Sequence, residues 1–136
     1  MIGKCNVLNV RTSTHFQWNG QTGATRGFCD FENEEKCRRV GIYLLKRSYK
    51  RAGVKTVAQI INRWAPANEN DTQAYIAFVC QMTSFKPSDV MCFDSDYASL
   101  LAAMEIMEMG VGKMLRSSYF DKARNAYLHI CTTYNL

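Results

Sequence analysis

Asn62-Arg63-Trp64-Ala65-Pro66-Ala67-Asn68-Glu69-Asn70-Asp71-Thr72-Gln73-Ala74-Tyr75 joins the end of one short amphipathic pattern to the start of another. Its reading decides the fold. Pro66 has no N–H to donate and closes the pattern before it. Asn70 or Asp71 offers a side-chain oxygen to the free N–H groups of the pattern after it. The stretch is therefore a helix–loop–helix connection. Its loop carries far more chemistry than a chain reversal requires: an Arg, a Trp, two acids, three Asn and a Tyr. Loops so equipped tend to carry function.

Working outward, the same punctuation frames five helices. The first is predicted over 34–52, with Asn33 as N-cap, Glu34 and Glu35 at the positive end of the helix dipole, and Gly53 as the stop. Cys37, Val40, Leu44, Leu45 and Tyr49 form its apolar stripe. The second covers 57–64, opened by a capping box of Thr56 and Gln59, with Val57, Ile60, Ile61 and Trp64 facing inward. The third covers 71–83, with Tyr75, Ile76, Val79 and Met82 inward. The fourth covers 95–109, capped by Asp94 or Ser95 and stopped by Gly110. The fifth covers 118–133, opened by Ser118 and Asp121. Residues 1–32 are rich in Gly, Thr, Asn and aromatics and read as loops, with a short hairpin around Asn19-Gly20 and Thr22-Gly23. The class is mainly α (α+β): about five helices with a small irregular or β-containing N-terminal lobe, in a single domain over 1–136.

The totals narrow the function. An apolar fraction of 47% is that of an ordinary globular chain. No stretch approaches the roughly 20 apolar residues of a membrane span. The N-terminus does not read as a signal peptide, so the expectation is cytoplasmic synthesis, with other means of delivery for any action outside the cytoplasm. A net charge of +5 suits an anionic polymer. Eight Lys or Arg and no acid lie between Lys36 and Lys55. They fill the positions between the apolar residues of the first helix and read as its solvated face. No Gly-rich phosphate loop and no nucleic-acid motif accompanies them, so nucleic acid is not the expected partner. The six cysteines form no C-x-x-C pair, and His15 and His129 complete no zinc or nucleophile pattern. No metal or cofactor is expected, and the thiols read as reduced and buried. The methionines at 104, 107, 109 and 114 read as core or helix packing.

The fourth helix holds the one placement that is physically odd. Taking Tyr97 as the reference and about 100° per residue, Glu108 falls near 20°, inside the arc formed by Leu100, Leu101 and Met104, and Glu105 falls near 80°, at its edge. A carboxylate is costly to bury without partners. Glu108 is then either tied up on a last turn, reaching water or Lys113, or set in a cleft where it serves as a general acid.

The segment Thr56-Val57, Ile60-Ile61-Asn62-Arg63-Trp64-Ala65-Pro66, Glu69-Asn70-Asp71-Thr72 and Tyr75 resembles a family of small phage and prophage virion-associated proteins, whose members read TV-x-x-II-x-RWAPP-x-ENDT-x-x-Y here. Their N-terminal NNPGNIR-like motif is matched loosely by Asn6 to Arg11, and a Phe-x-x-Phe segment by Phe28 and Phe31. A more distant similarity is to lysozyme-like bacterial glucosaminidases, whose Asn-rich, Phe-rich and Tyr-containing motifs match Asn6 to Arg11, Phe28 to Leu45 and Asp71 to Tyr75 in order. Their Glu-Gly helix end is matched downstream by Glu108 to Gly110, as in a circular permutation. These resemblances imply a lysozyme-like helical domain that cleaves peptidoglycan glycan strands and is associated with a virion or delivered to the periplasm. Glu108 would be the general acid, with Tyr75 across the cleft. Asn9, Arg11, Trp64, Glu69, Asp71 and Thr72 would line the substrate groove. The alternative they imply is a non-catalytic virion component that keeps the fold and binds glycan or other virion proteins. Met107 and Met109 stand where phage relatives carry His and Asn around the acid, which removes polar neighbours.

Overall fold

A computed structural model describes all 136 residues. The expected class is the observed one: five α-helices and a small two-stranded antiparallel sheet at the N-terminus. β1 (Gln21–Thr25) pairs with β2 (Phe28–Phe31). The hairpin turns at Arg26-Gly27, not at the Gly pairs expected from the sequence. Both residues have positive φ, 51° and 82°, as a two-residue turn matching the twist of the strands requires. Arg26 in place of an Asn or Asp hid the signal. β2 lies beside the N-terminal segment. There the Cys29 and Phe31 N–H groups donate to the Val10 and Lys4 carbonyls.

The first helix begins where its sequence signals place it. α1 (Glu34–Tyr43) is capped by Asn33, whose side chain accepts from the Lys36 N–H at 2.9 Å. It then widens into a π-helical segment, Leu44–Tyr49, before ending at Gly53 with φ of 81°. Gly41 is required by close packing. A Cβ there would stand 2.5 Å from Leu8 and 3.2 Å from Leu101. α2 (Val57–Trp64) has the expected capping box of Thr56 and Gln59. α3 (Thr72–Thr83) is capped by Asp71, which accepts from the Ala74 N–H at 3.1 Å.

α4 (Asp94–Met109) starts differently from expectation. Neither Asp94 nor Ser95 caps it. Asp96 reaches back to the N–H groups of Cys92 and Phe93, both at 3.0 Å. Gly110, with φ of 68°, ends it as expected. α5 (Arg116–Tyr134) begins two residues before its predicted start, from a 3-10 turn over Lys113–Leu115, so Ser118 and Asp121 lie inside it.

α4 is the central element. Tyr97, Ala98, Leu100 to Met104 and Ile106 are all buried. α1, α3 and α5 pack around it, so a helix expected to have one apolar arc is covered on nearly all sides. The methionine expectation holds at Met104, which is fully buried, and fails at Met114, which is 98% exposed. The six thiols are free, and Cys92 is exposed rather than buried. Burial pushes the Cys37 thiol up to about 12, as expected of a core cysteine.

Candidate active-site groove

Glu108 sits on the last turn of α4, half-buried, and receives two side-chain hydrogen bonds. The Tyr75 hydroxyl donates to Oε2 at 2.8 Å and the Asn9 amide to Oε1 at 3.0 Å. Three segments far apart in sequence therefore meet at one carboxylate: the N-terminal loop, the start of α3 and the end of α4. No ion pair ties Glu108 to Lys113.

Local structure explains each partner. Asn9 lies in the left-handed region with φ of 53°, which Asn tolerates better than most residues. Its Oδ1 accepts from the Ile2 N–H at 3.4 Å, so its NH2 group is the end turned to Glu108. The loop that presents it is organised by Asn6, which is fully buried. The Asn6 amide donates to the carbonyls of Val10 and Cys29, both at 2.9 Å, and its Oδ1 accepts from the Val10 N–H at 2.8 Å. Tyr75, 4% exposed, has its phenol raised well above 10.0, first by burial and then by the Glu108 charge. It therefore stays a hydrogen-bond donor across the physiological range.

Asn9, Arg11, Trp64, Glu69, Asn70 and Glu108 line one small polar cavity of about 140 Å³. Arg11 spans it, its guanidinium 3.6 Å from Glu69 and 5.0 Å from the centre of the Phe28 ring. A second cavity of about 280 Å³ opens beside the first and shares Asn9, Arg11 and Trp64 with it. The two form one groove between the N-terminal lobe and the α2–α3 connection.

Of the eight residues expected at the site, five line the polar cavity and Tyr75 holds the acid from behind. Asp71 and Thr72 need correction: neither lines a cavity. Asp71 caps α3, and Thr72 is buried with its hydroxyl donating to the Ala65 carbonyl at 2.5 Å. Their motif shapes the turn that brings Tyr75 into place. Phe16, Trp18, Leu44, Tyr49 and Asn70 line the groove but were not expected there. The aromatic content of residues 1–32 was the available signal. Nothing local in sequence pairs Trp18 with Tyr49.

The larger surprise is Glu105, which helical phase placed at the margin of the apolar arc. It is fully buried. Arg38 donates to both of its oxygens, at 3.0 and 2.9 Å, the Tyr119 hydroxyl donates at 2.7 Å and the Tyr127 hydroxyl at 2.8 Å. Arg38 also reaches Glu34 at 3.2 Å. Burial opposes the Arg38 charge, but the Glu105 hydrogen bonds and charge outweigh it and raise the guanidinium above its ordinary value. Arg38 thus leaves the solvated basic face to which sequence assigned it.

The fold and the groove define a small, mainly helical protein with one half-buried acid at a cleft, and comparison places it among bacteriophage proteins. The chain is 32% identical over 109 residues to Protein P5 of Pseudoalteromonas phage PM2, with 77% of this chain and 68% of that protein covered. It belongs to the family of that phage protein. No family model matches it. No helix is long and apolar enough to cross a membrane.

Proposed function

We propose that this phage-family protein is a lysozyme-like hydrolase of peptidoglycan glycan strands, with Glu108 as general acid. The observation that carries the reading is the convergence of Asn9, Tyr75 and Glu108 at the floor of a groove. A sugar strand lying there would meet Trp64, an aromatic face of the kind that stacks on pyranose rings, and the polar edge formed by Arg11, Asn70 and Glu69. Glu108 would deliver a proton to the glycosidic oxygen as the C–O bond breaks. Glu69, the other carboxylate lining the same cavity, would take a proton from the attacking water once released by Arg11. Tyr75 and Asn9 hold the acid in one orientation, which is the function of such partners in a preorganised site.

The test is Glu108→Gln on purified sacculi. The variant should release no reducing sugar and keep a melting temperature close to that of the parent. Release at the parental rate would remove Glu108 from the role.

A second reading has an observation of its own. Both Glu108 oxygens already accept hydrogen bonds, so the residue also works as a tie between the N-terminal loop, α3 and α4. A virion component that binds glycan or another virion protein through this groove would keep that tie without chemistry. It predicts that the parent protein and Glu108→Gln bind sacculi equally and that neither cleaves them.

A further inference from the structure

The second cavity has a character unlike the first. Six of its nine lining residues are hydrophobic. Phe16, Trp18 and Trp64 wall it, with Leu44 and Tyr49 from the π-helical segment. Its polar side chains Asn9, Arg11 and Ser13 are all engaged: the Asn9 amide with Glu108 and Ile2, the Ser13 hydroxyl oxygen with the His15 N–H at 3.1 Å, and Arg11 with Glu69 at 3.6 Å. A pyranose seated here would find few protein partners for its hydroxyls. Methyl groups and a peptide backbone suit it better.

Two arginines border this cavity, Arg11 in its lining and Arg63 beside Tyr49. Arg11 lies on its rim with a side chain 65% exposed. The Arg63 guanidinium stands 5.2 Å from the centre of the Tyr49 ring and takes part in none of the four ion pairs. Arg47, Lys50 and Arg51, in and just after the segment that carries Tyr49, are exposed and equally free of acidic partners. An apolar seat with a cationic rim selects a ligand that is apolar in its body and anionic at its ends.

We infer that the aromatic cavity seats the acidic peptide borne by a peptidoglycan strand, while the sugar that bears it lies at Glu108. The continuity of the two cavities through Asn9, Arg11 and Trp64 supports this geometry, which rests on the glycan reading of the groove. The alanine methyls of such a peptide fit between Trp18 and Tyr49, and its free carboxylates reach Arg11 and Arg63. The protein would then prefer strands that carry peptides over bare glycan.

The chain holds two tryptophans, Trp18 and Trp64, and both line this cavity, so intrinsic fluorescence reports its occupancy. The probes are the tetrapeptide N-acetyl-L-alanyl-γ-D-glutamyl-meso-diaminopimelyl-D-alanine, which carries a net negative charge, and the N-acetylglucosamine tetramer, titrated into the parent protein and Glu108→Gln. The peptide should shift tryptophan emission saturably in both proteins. The paired change Arg11→Gln with Arg63→Gln should weaken that binding about tenfold, as expected for losing charge-assisted contacts. Trp18→Ala should abolish it. A saturable shift with the sugar tetramer but not the peptide overturns the proposal, as does peptide binding that ignores the arginine changes. The two readings fail separately: absence of reducing-sugar release defeats the hydrolase, whereas only the peptide titration decides what the aromatic cavity holds.

Discussion

Glu105 and Glu108 lie one turn apart on the same helix and live in opposite surroundings. Glu105 is sealed in the core among an arginine and two tyrosines, both of its oxygens occupied. Glu108 faces a groove with one tyrosine and one asparagine beside it. Depth of burial therefore does not single out the acid proposed for catalysis. The more deeply buried residue joins α1, α4 and α5 and has no room for a ligand. The shallower one has fewer ties and an open side.

Four measurements would break or sharpen that contrast. The largest effect is expected at Glu105. Glu105→Gln leaves Arg38 without its charge partner in the interior, and removing one member of a buried pair costs about 3–5 kcal/mol. Urea denaturation reads this directly, and a loss no larger than that of Glu108→Gln would make the two sites equivalent.

The next effect is alkaline. Burial raises the Tyr49 phenol from 10.0 to about 12, and the tyrosines that serve the two acids, Tyr75, Tyr119 and Tyr127, are raised as well. A phenol whose folded value lies above its unfolded one stabilises the fold fully below the unfolded value. That stability disappears as pH climbs through the folded value. With the Cys37 thiol raised from 9.0 to about 12 as well, the unfolding free energy should hold up to about pH 9 and fall towards about pH 12 and beyond. Tyr49→Phe should make the early part of the fall shallower. An unchanged slope would mean that Tyr49 is not insulated from solvent as its packing requires.

A smaller change in stability is expected at the groove. Glu108→Gln retains the size of the side chain and an acceptor for Tyr75, so the loss should stay within about 1 kcal/mol, the net worth of an ordinary hydrogen bond. A loss comparable to that at Glu105 would favour the structural-tie reading over the hydrolase. The smallest effect belongs to the surface. Lys46 pairs with Asp94, whose side chain is 51% exposed, and Asp94→Asn should cost under about 1 kcal/mol and less still at high salt.

Sequence made the helical frame legible because its signals are local. Asn33, the Thr56–Gln59 box, Asp71, Gly53 and Gly110 each act within one turn of where they sit, and each does what its chemistry requires. The helical phase of α4 also pointed at Glu108. It misjudged Glu105, because a phase angle assumes one buried face and α4 is surrounded. The Arg38–Glu105 pair joins residues 67 positions apart, a distance over which no local pattern carries information. The aromatic cavity escaped notice for the same reason: its walls come from the N-terminal lobe, the π-helical segment and α2. Asp71 and Thr72 were assigned to substrate because they stand in a motif beside a real groove residue, though their side chains build the turn.

The π-helical segment Leu44–Tyr49 winds more loosely than the α-helix it extends. A spare residue accommodated in this way shifts the phase of everything after it by about 100°. Leu44 and Tyr49 both line the groove across this offset, although five regular α-helical steps would turn their side chains well apart. Winding these same residues into a regular α-helix would turn Tyr49 about 140° away from Leu44, out of the wall it shares with Trp64. The tidier helix would come with a broken cleft wall, so the least regular turn of the molecule is also the one the groove can least do without.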